Sequence, residues 1–471
     1  VTVAASADGL SMTETPIPGL VVFDLPVHAD ARGWFKENWH REKMTALGLP
    51  DFGPVQNNVS FNTRAGATRG IHAEPWDKWV SVATGRVFAA WVDLREGASF
   101  GAVFSIEIDP SRAVFVPRGV GNSYQTLEDD TAYIYLVNDH WSPQAAYTNV
   151  NLADDTAAIA WPIPLADAEI SAKDLTHPSL AEVTPVAPRK TLVVGASGSL
   201  GRALRDEFGD SPRIEYAGRG ELDLADPDLA TARSWRDYDT IVNAAAFTAV
   251  DRAETPEGRR EAWAANAEGV AALARVAARA GITLVHISSD YVFDGRLERA
   301  YREDDPMCPL GVYGQTKAAG DAAVSLVPRH YVIRTSWVIG DGANFVRTMA
   351  SLAERGIDPR VVDDQRGRLT FTADLARGIR HLLAARPPSG VYNLTGAGEP
   401  TTWADIARDV FRLTGHDPAR VTGVSTAEYS SSAPGPVAPR PRNSLLDLDK
   451  LTGTGFRPAE VSASLTAYLS E

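Results

Sequence analysis

At 471 residues, 44% of them hydrophobic, and with a net charge of −14, the chain is too long for one ordinary core, so two or three soluble domains are expected, with no nucleic-acid or anionic-membrane partner. Cys308 is its single cysteine, which excludes an intramolecular disulfide, and no spacing among the nine histidines suggests a metal site. No basic segment leads into an apolar one at the N-terminus and no apolar run approaches the roughly 18 residues of a membrane span, so the chain reads as cytoplasmic.

From residue 15 to about 165, short segments rich in Val, Phe, Trp and Tyr are broken by Gly, Pro, Asn and Asp. Strands are expected at 19–25, 79–82, 87–94, 103–108, 113–116 and 133–137, and their regular spacing reads as an antiparallel sandwich or barrel. Within this region Arg69 and His72 end one expected turn and Lys78 follows closely. Alone, His72 reads as a structural histidine. With a lysine nearby it also suits enolisation, in which an imidazole removes a proton α to a ketone and an ammonium steadies the enolate oxygen. The stretch 177–190 carries Pro178, Pro185 and Pro188 with little periodicity and reads as a linker.

From Thr191 the pattern changes to β-branched runs (191–194, 214–217, 240–243, 283–288 and 331–335) alternating with helical segments. A helix is expected over 257–280, with Gly281 in its C′ position. Such alternation argues for a parallel doubly wound sheet. The run 195–201 (GASGSLG) follows the first of these strands and opens a helix, where Gly195, Gly198 and Gly201 let backbone N–H groups approach a pyrophosphate. At the end of the second strand, 216–219 (YAGR) offers Arg219 and no acid, which favours NADPH and leaves NADH open. Tyr313 and Lys317, four residues apart, share one helix face, so the ammonium is expected to lower the phenol's pKa and ready it to protonate a carbonyl oxygen as hydride reaches the carbon. Ser289, at the end of the fourth strand, is placed to hydrogen-bond the same oxygen.

Several long motifs in order, 241–254 (IVNAAAFTAVDRAE), 286–295 (HISSDYVFDG), 309–317 (PLGVYGQTK), 334–337 (RTSW), 363–367 (DDQRG) and 438–442 (APRPR), resemble dTDP-4-dehydrorhamnose reductases. The resemblance covers 190–471. It implies a Rossmann-type short-chain dehydrogenase/reductase domain with a smaller C-terminal substrate lobe, reducing the C4 ketone of a dTDP-linked 6-deoxy-sugar. It implies Ser289, Tyr313 and Lys317 as the catalytic set, and Asp290, Tyr291 and Trp337 beside the sugar. Ser197, Ser199 and Leu200 of the glycine run, Asp223, Leu224, Ala244, Ala245 and Ala246 complete the implied cofactor contacts with Arg219. Ser289 stands where the family usually has threonine, and Leu369 where it usually has proline.

The N-terminal part, through 30–37 (DARGWFKE), 55–60 (VQNNVS), 69–72 (RGIH), 87–95 (VFAAWVDLR), 115–119 (FVPRG), 133–143, 161–162 (WP) and 171–174 (SAKD), resembles dTDP-4-dehydrorhamnose 3,5-epimerases, a cupin-like jelly roll. The resemblance implies His72 as base, Asp174 as its orienting carboxylate and Tyr135 as the acid on the opposite face. Arg32, Glu37, Asn58, Arg69 and Lys78 would hold the nucleotide-sugar, and a homodimer that exchanges N-terminal strands is implied. Asn122 replaces a histidine, and Ala73 with Glu74 replace an aromatic–glutamine pair, putting a carboxylate where a diphosphate would approach. The resulting expectation is an epimerase domain over 1–180, a linker over 181–189 and a reductase domain over 190–471 that together make dTDP-L-rhamnose. Two other readings stay open. One is a reductase whose β domain only dimerises or holds ligand. The other is a binding subunit without turnover, against which Ser289, Tyr313 and Lys317 speak.

Overall fold

In the strand Lys78–Thr84, Val80 and Val82 turn to one side of the sheet and Trp79 to the other, and both sides are buried. The computed structural model describes residues 3–7, 9–143, 145–432 and 435–470, and the chain divides into two units, 1–188 and 189–471. In the first, seven strands form an antiparallel sheet in the order Val3–Ala7, Leu10–Glu14, Val21–Asp24, Arg112–Val116, Lys78–Thr84, Thr131–Val137 and Gln56–Asn62. A second sheet runs Val103–Ile108, Val87–Asp93, Val120–Thr126, Ala67–Ala73 and Thr148–Asn149, with Glu169–Ile170 beside Ala67–Ala73. Val80, Val82, Val114 and Tyr133 of the first sheet meet Val87, Ala89, Trp91 and Tyr124 of the second in one core, as two packed sheets require. Phe23, Trp79 and Phe115 are buried against Met44, Leu49 and Phe52 on the other side of the first sheet.

The strands expected from apolar runs are present to within two residues. Gln56–Asn62, Ala67–Ala73 and Val120–Thr126 were not expected, because their polar residues hide the alternation, and these strands carry Asn58, Arg69, His72 and Asn122. The segment read as a linker is largely part of the first unit. Leu180 is buried, and Val186 exchanges main-chain hydrogen bonds with Leu94 and Glu96.

The second unit is built on a parallel sheet in the order Ile214–Ala217, Lys190–Val194, Tyr238–Asn243, Thr283–Ser289, His330–Thr335, Gly390–Asn393. Leu192 and Val194 pack in one core with the helix Gly269–Ala280, while Val193 packs in another with the helices Ser199–Phe208 and Thr372–Ala385. The chain leaves Lys190–Val194 first to one side and then to the other, which opens a crevice at the strand's C-terminal end. The helix expected over 257–280 occurs as Pro256–Trp263 and Gly269–Ala280, joined by a wider turn, Ala264–Glu268. There Asn266 bonds both main-chain groups of Phe247 and Thr316 Oγ1. Gly281 ends the second helix at φ +62° with its N–H on Ala277. A smaller lobe gathers the helices Phe345–Glu354, Trp403–Leu413 and Val461–Ser470 around Val346, Met349, Phe411 and Leu465. Among the described residues no helix is long and apolar enough to cross a membrane.

Candidate active sites

The glycine run lies in the crevice of the parallel sheet. A Cβ on Gly195, whose φ is +80°, would stand 2.6 Å from Ala245 N, and one on Gly201 would stand 2.3 Å from Gly195 O. Only glycine lets the loop, the Ala244–Ala246 turn and the helix close this far. Ser199–Phe208 begins at Gly198 with no side-chain cap, and Ser199 Oγ is buried without a hydrogen-bond partner. Free N–H groups at a helix N-terminus beside an unpartnered hydroxyl fit the pyrophosphate of a dinucleotide. Ser197 and Gly198 are exposed at the loop, whereas the side chains of Leu200 and Leu224 are turned into the cores.

The adenosine end departs from the sequence reading in one respect. Arg219 is largely exposed, 3.6 Å from Asp223. The tip of the second strand nevertheless carries an acid. A tight turn folds Glu221 back so that its carboxylate accepts from Gly218 N at 2.7 Å, on the side of Gly218 that Ser197 also faces. The acid is four residues beyond the strand's last residue, Ala217, which is why strand-end reading passed over it.

Ser289 ends the strand Thr283–Ser289, and Tyr313 opens the helix Val312–Val324. Ser289 Oγ donates to Asp290 Oδ1 at 3.0 Å and accepts from Tyr291 N at 3.2 Å. The Tyr291 and Tyr313 rings meet edge to face, 5.7 Å apart. Lys317 is buried, and its Nζ donates to Ile287 O at 2.5 Å and lies 3.4 Å from His286 Nε2. The ammonium is therefore spent on the strand end. Four-residue spacing predicts that the ammonium lowers the Tyr313 phenol's pKa; in the structure it does not. Burial, and then the charge of Asp290, push that phenol well up, with Ser289 acting in the opposite sense. Burial draws Lys317 down to about 8 and pushes Asp290 up to about 6. His286, buried beside Lys317, is held well below the ordinary histidine range, so it is neutral, and its Nδ1 lies 3.1 Å from Asn243 Nδ2. His286 and Asn243 support this site and escaped the sequence reading; a polar pair inside otherwise apolar parallel strands was their only signal.

Arg440 pairs with Asp251 at 2.9 Å and acts on the Tyr291 phenol. Together with Gln365, Trp403, Thr426 and Tyr429 it lines a cavity of about 340 Å³, so the motifs around 365 and 440 meet in space. Trp337 is buried, holds φ +46° and stacks on Trp403 at 4.1 Å. A bulky residue in the left-handed region is held there by its surroundings; here they include Gly367, where a Cβ would touch the Trp337 ring at 2.6 Å.

In the β domain a cavity of about 180 Å³ is lined by His72, Arg69 and Asn122 from one sheet and by Tyr135, Tyr133 and Lys78 from the other, with Glu74 at its rim. His72 Nε2 lies 2.9 Å from Asp174 Oδ1. Burial, followed by the Glu74 charge, pushes the Tyr135 phenol up to about 12. Asn122 Oδ1 accepts from Trp91 Nε1 at 2.9 Å and from the Tyr133 hydroxyl at 3.1 Å, so this buried amide holds the aromatic wall and brings no charge. Glu74 is not a bare carboxylate: it pairs with Lys78 at 2.7 Å and accepts from Trp76 Nε1 at 2.6 Å. That pairing also occupies the lysine assigned to the nucleotide-sugar. Asn58 faces Tyr135 across the strand pair and accepts from Gln56 Nε2. Arg32 and Glu37 are not brought to the cavity. Arg32 pairs with Asp30 on the exposed hairpin Val27–Asp30/Gly33–Lys36, and Glu37 pairs with Lys43. His177, three residues beyond the 171–174 motif and not singled out from the sequence, is buried against His72 and Asp174, and burial together with His72 keeps its pKa low.

Residues 189–471 match the model of the RmlD substrate binding domain, and residues 14–182 that of dTDP-4-dehydrorhamnose 3,5-epimerase. An RmlC homologue of Streptococcus pyogenes serotype M6 is 51% identical over 180 residues, 37% of this chain and 90% of its own length. A dTDP-4-dehydrorhamnose reductase of Streptomyces griseus is 41% identical over 287 residues, 59% of this chain and 91% of its own length. The crystal structure of a dTDP-4-dehydrorhamnose reductase from Bacillus anthracis in complex with NADP is similar at TM-score 0.54 and 29% identity, covering 60% of this chain and 99% of that one. The two sites and these matches agree: the chain belongs to the dTDP-4-dehydrorhamnose 3,5-epimerases through its N-terminal β domain and to the dTDP-4-dehydrorhamnose reductases through residues 189–471, an isomerase fused to an oxidoreductase.

Proposed function

We propose that this chain carries out two successive steps on one dTDP-linked 4-keto-6-deoxy-sugar, inversion at C3 and C5 followed by reduction at C4, to yield dTDP-L-rhamnose. The observation that carries the reading is the His72–Asp174 contact in a cavity whose opposite wall holds Tyr135. His72 removes the proton α to the ketone, Asp174 fixes the imidazole's orientation, and Tyr135, kept protonated by burial, returns a proton from the other face. C3 and C5 both flank the C4 ketone, so one base–acid pair serves both carbons. Arg69 remains available for the diphosphate.

The ketone then needs a second site. NADPH supplies the hydride there. Ser289 turns its hydroxyl from Asp290 to donate a hydrogen bond to the carbonyl oxygen, and Tyr313, whose raised pKa keeps it protonated, passes a proton to that oxygen as charge develops. The cavity between Gln365, Trp403 and Arg440 suits a base and a phosphate. Glu221 opposes a 2′-phosphate, so Glu221→Gln is expected to raise the NADPH-to-NADH ratio of kcat/KM about three- to tenfold, the size of one screened charge contact; steady-state kinetics with both cofactors checks it.

The β domain is read as a cupin-like jelly roll over 1–180 and the rest as a Rossmann-type short-chain reductase over 190–471, working in the cytoplasm as a homodimer. The dimer reading is supported by the hairpin bearing Arg32, which exposes Trp34 and Phe35, and by the exposed Val59 and Phe61; exchange of N-terminal strands would carry Arg32 and Glu37 to a partner's cavity. The test is to give the purified chain dTDP-4-keto-6-deoxy-glucose and NADPH with no other enzyme. NADPH oxidation with formation of the L-rhamnose nucleotide is expected. Oxidation that appears only after a separate epimerase is added would leave the β domain as a dimerisation or ligand-holding module.

A further inference from the structure

Two histidines share one carboxylate oxygen in the β domain. His72 Nε2 lies 2.9 Å and His177 Nε2 3.8 Å from Asp174 Oδ1. The rings stand edge to face with centroids 5.3 Å apart, and one donor atom from each of the three residues falls within 4.8 Å of the others. His72 comes from the strand Ala67–Ala73, while Asp174 and His177 bracket the short turn Asp174–Thr176. Asp174 Oδ2 faces Gly70 N at 3.4 Å, which leaves Oδ1 toward the imidazoles. His177 is 8% exposed, and neither of its ring nitrogens makes a properly formed hydrogen bond. Its polar neighbours are the Gly70 main chain and, at 3.8 Å, Asp174; a buried imidazole held so loosely calls for a reason, and epimerisation by His72, Asp174 and Tyr135 does not use it.

We propose that His72, Asp174 and His177 form a binding site for a first-row divalent transition-metal ion of the zinc type, whose occupancy silences His72 as a base. Two imidazoles and one carboxylate are the donors such ions take, whereas magnesium and calcium prefer oxygen alone. Bonds of about 2.0–2.2 Å to a tetrahedral ion set neighbouring donors roughly 3.3 Å apart, so His177 closes on Asp174 from 3.8 Å by about half an ångström, and the two imidazole donors, within 4.8 Å of each other, close by at most about 1.5 Å. His72 is partly open to the cavity, which gives the ion a way in and leaves it a position for water. When His72 Nε2 gives its lone pair to the metal, the proton it shared with Asp174 moves to Nδ1. No lone pair then remains on the ring to take a proton from the sugar, and Asp174 serves the ion instead of orienting the imidazole. The silencing rests on the epimerase reading; the binding does not.

The test uses the full chain. Co²⁺ is titrated while its visible ligand-field bands are followed, and Zn²⁺ is used to displace it. One ion per β domain is expected, and His177→Gln is expected to weaken binding at least about a hundredfold, because even groups beyond the ligands themselves are worth 10–100-fold. His177→Cys, which restores a donor, is expected to keep binding and guards against a folding defect in the glutamine variant. Solvent deuterium uptake at C3 and C5 is then measured with and without Zn²⁺, each variant against its own metal-free rate. Uptake by the wild-type and cysteine chains is expected to fall at least tenfold, while the glutamine chain keeps a ratio near one. Failure of Co²⁺ to bind the wild type, equal binding by His177→Gln, or equal inhibition of both chains overturns the proposal. A metal-free chain that takes up no deuterium overturns the epimerase reading instead, and the Co²⁺ spectra still decide the site.

Discussion

Tyr313→Phe is expected to lower the rate of keto-sugar reduction by about 10²–10⁴-fold, the range for loss of a positioned general acid, while the fold and NADPH binding are retained. The phenyl ring keeps the edge-to-face contact with Tyr291, so only the proton donor is removed. The raised pKa of this phenol fixes the sign of its pH behaviour: a group that titrates high stays protonated through the neutral range and imposes no limb there. The alkaline limb is assigned to Lys317, whose positive charge, buried at the strand end that carries Ser289, favours the oxyanion forming on the ketone. Its pKa is drawn down to about 8, so its charge is present below that pH and lost above it, and reduction by the wild-type chain is expected to decline with an apparent pKa near 8. Single-turnover NADPH oxidation across pH, with both chains, checks the two statements together. An unchanged rate in the phenylalanine variant would remove Tyr313 from the chemistry.

His72→Gln is expected to reduce deuterium uptake at C3 and C5 by about 10²–10⁴-fold and to leave reduction of an already epimerised ketone untouched. The glutamine amide nitrogen stands in for Nε2 and keeps a donor beside Asp174, which avoids stranding a buried carboxylate; the imidazole lone pair is what disappears. Given only dTDP-4-keto-6-deoxy-glucose, this variant is expected to oxidise almost no NADPH, and an added epimerase is expected to restore the wild-type rate. Proton NMR in deuterated buffer, followed by the coupled assay, separates a failed base from a failed reductase. Full exchange in the variant would move the base elsewhere in the cavity, where Glu74 is already neutralised by Lys78.

Both experiments draw on residues that were legible before any coordinates, through different signals. Tyr313 and Lys317 stand four residues apart on the helix Val312–Val324, and the glycine run joins the strand Lys190–Val194 to the helix Ser199–Phe208, so helix and strand periodicity within each short segment was enough to place them. His72 was singled out only with help from surrounding motifs, because its strand is interrupted by Arg69, Gly70 and its own polar side chain. The sequence presents Asn122 as a missing histidine and Glu74 as a carboxylate opposing the diphosphate; the structure shows an amide holding Trp91 and Tyr133 and a carboxylate balanced by Lys78.

The alternation of strands and helices after residue 189, the parallel sheet with its phosphate loop and the Tyr313–Lys317 pair were written in the chain itself, because they rest on backbone periodicity and on groups a few residues apart; the two chemistries were named through the resemblance of longer motifs. The partner of each charged group was not. Lys317 Nζ turns to Ile287 O, Glu221 folds back onto Gly218, and His72 meets a carboxylate 102 residues away with His177 closing the cluster. Those pairings depend on which strands and turns become neighbours and on how much water is expelled between them, and desolvation acts only once the tertiary structure has formed.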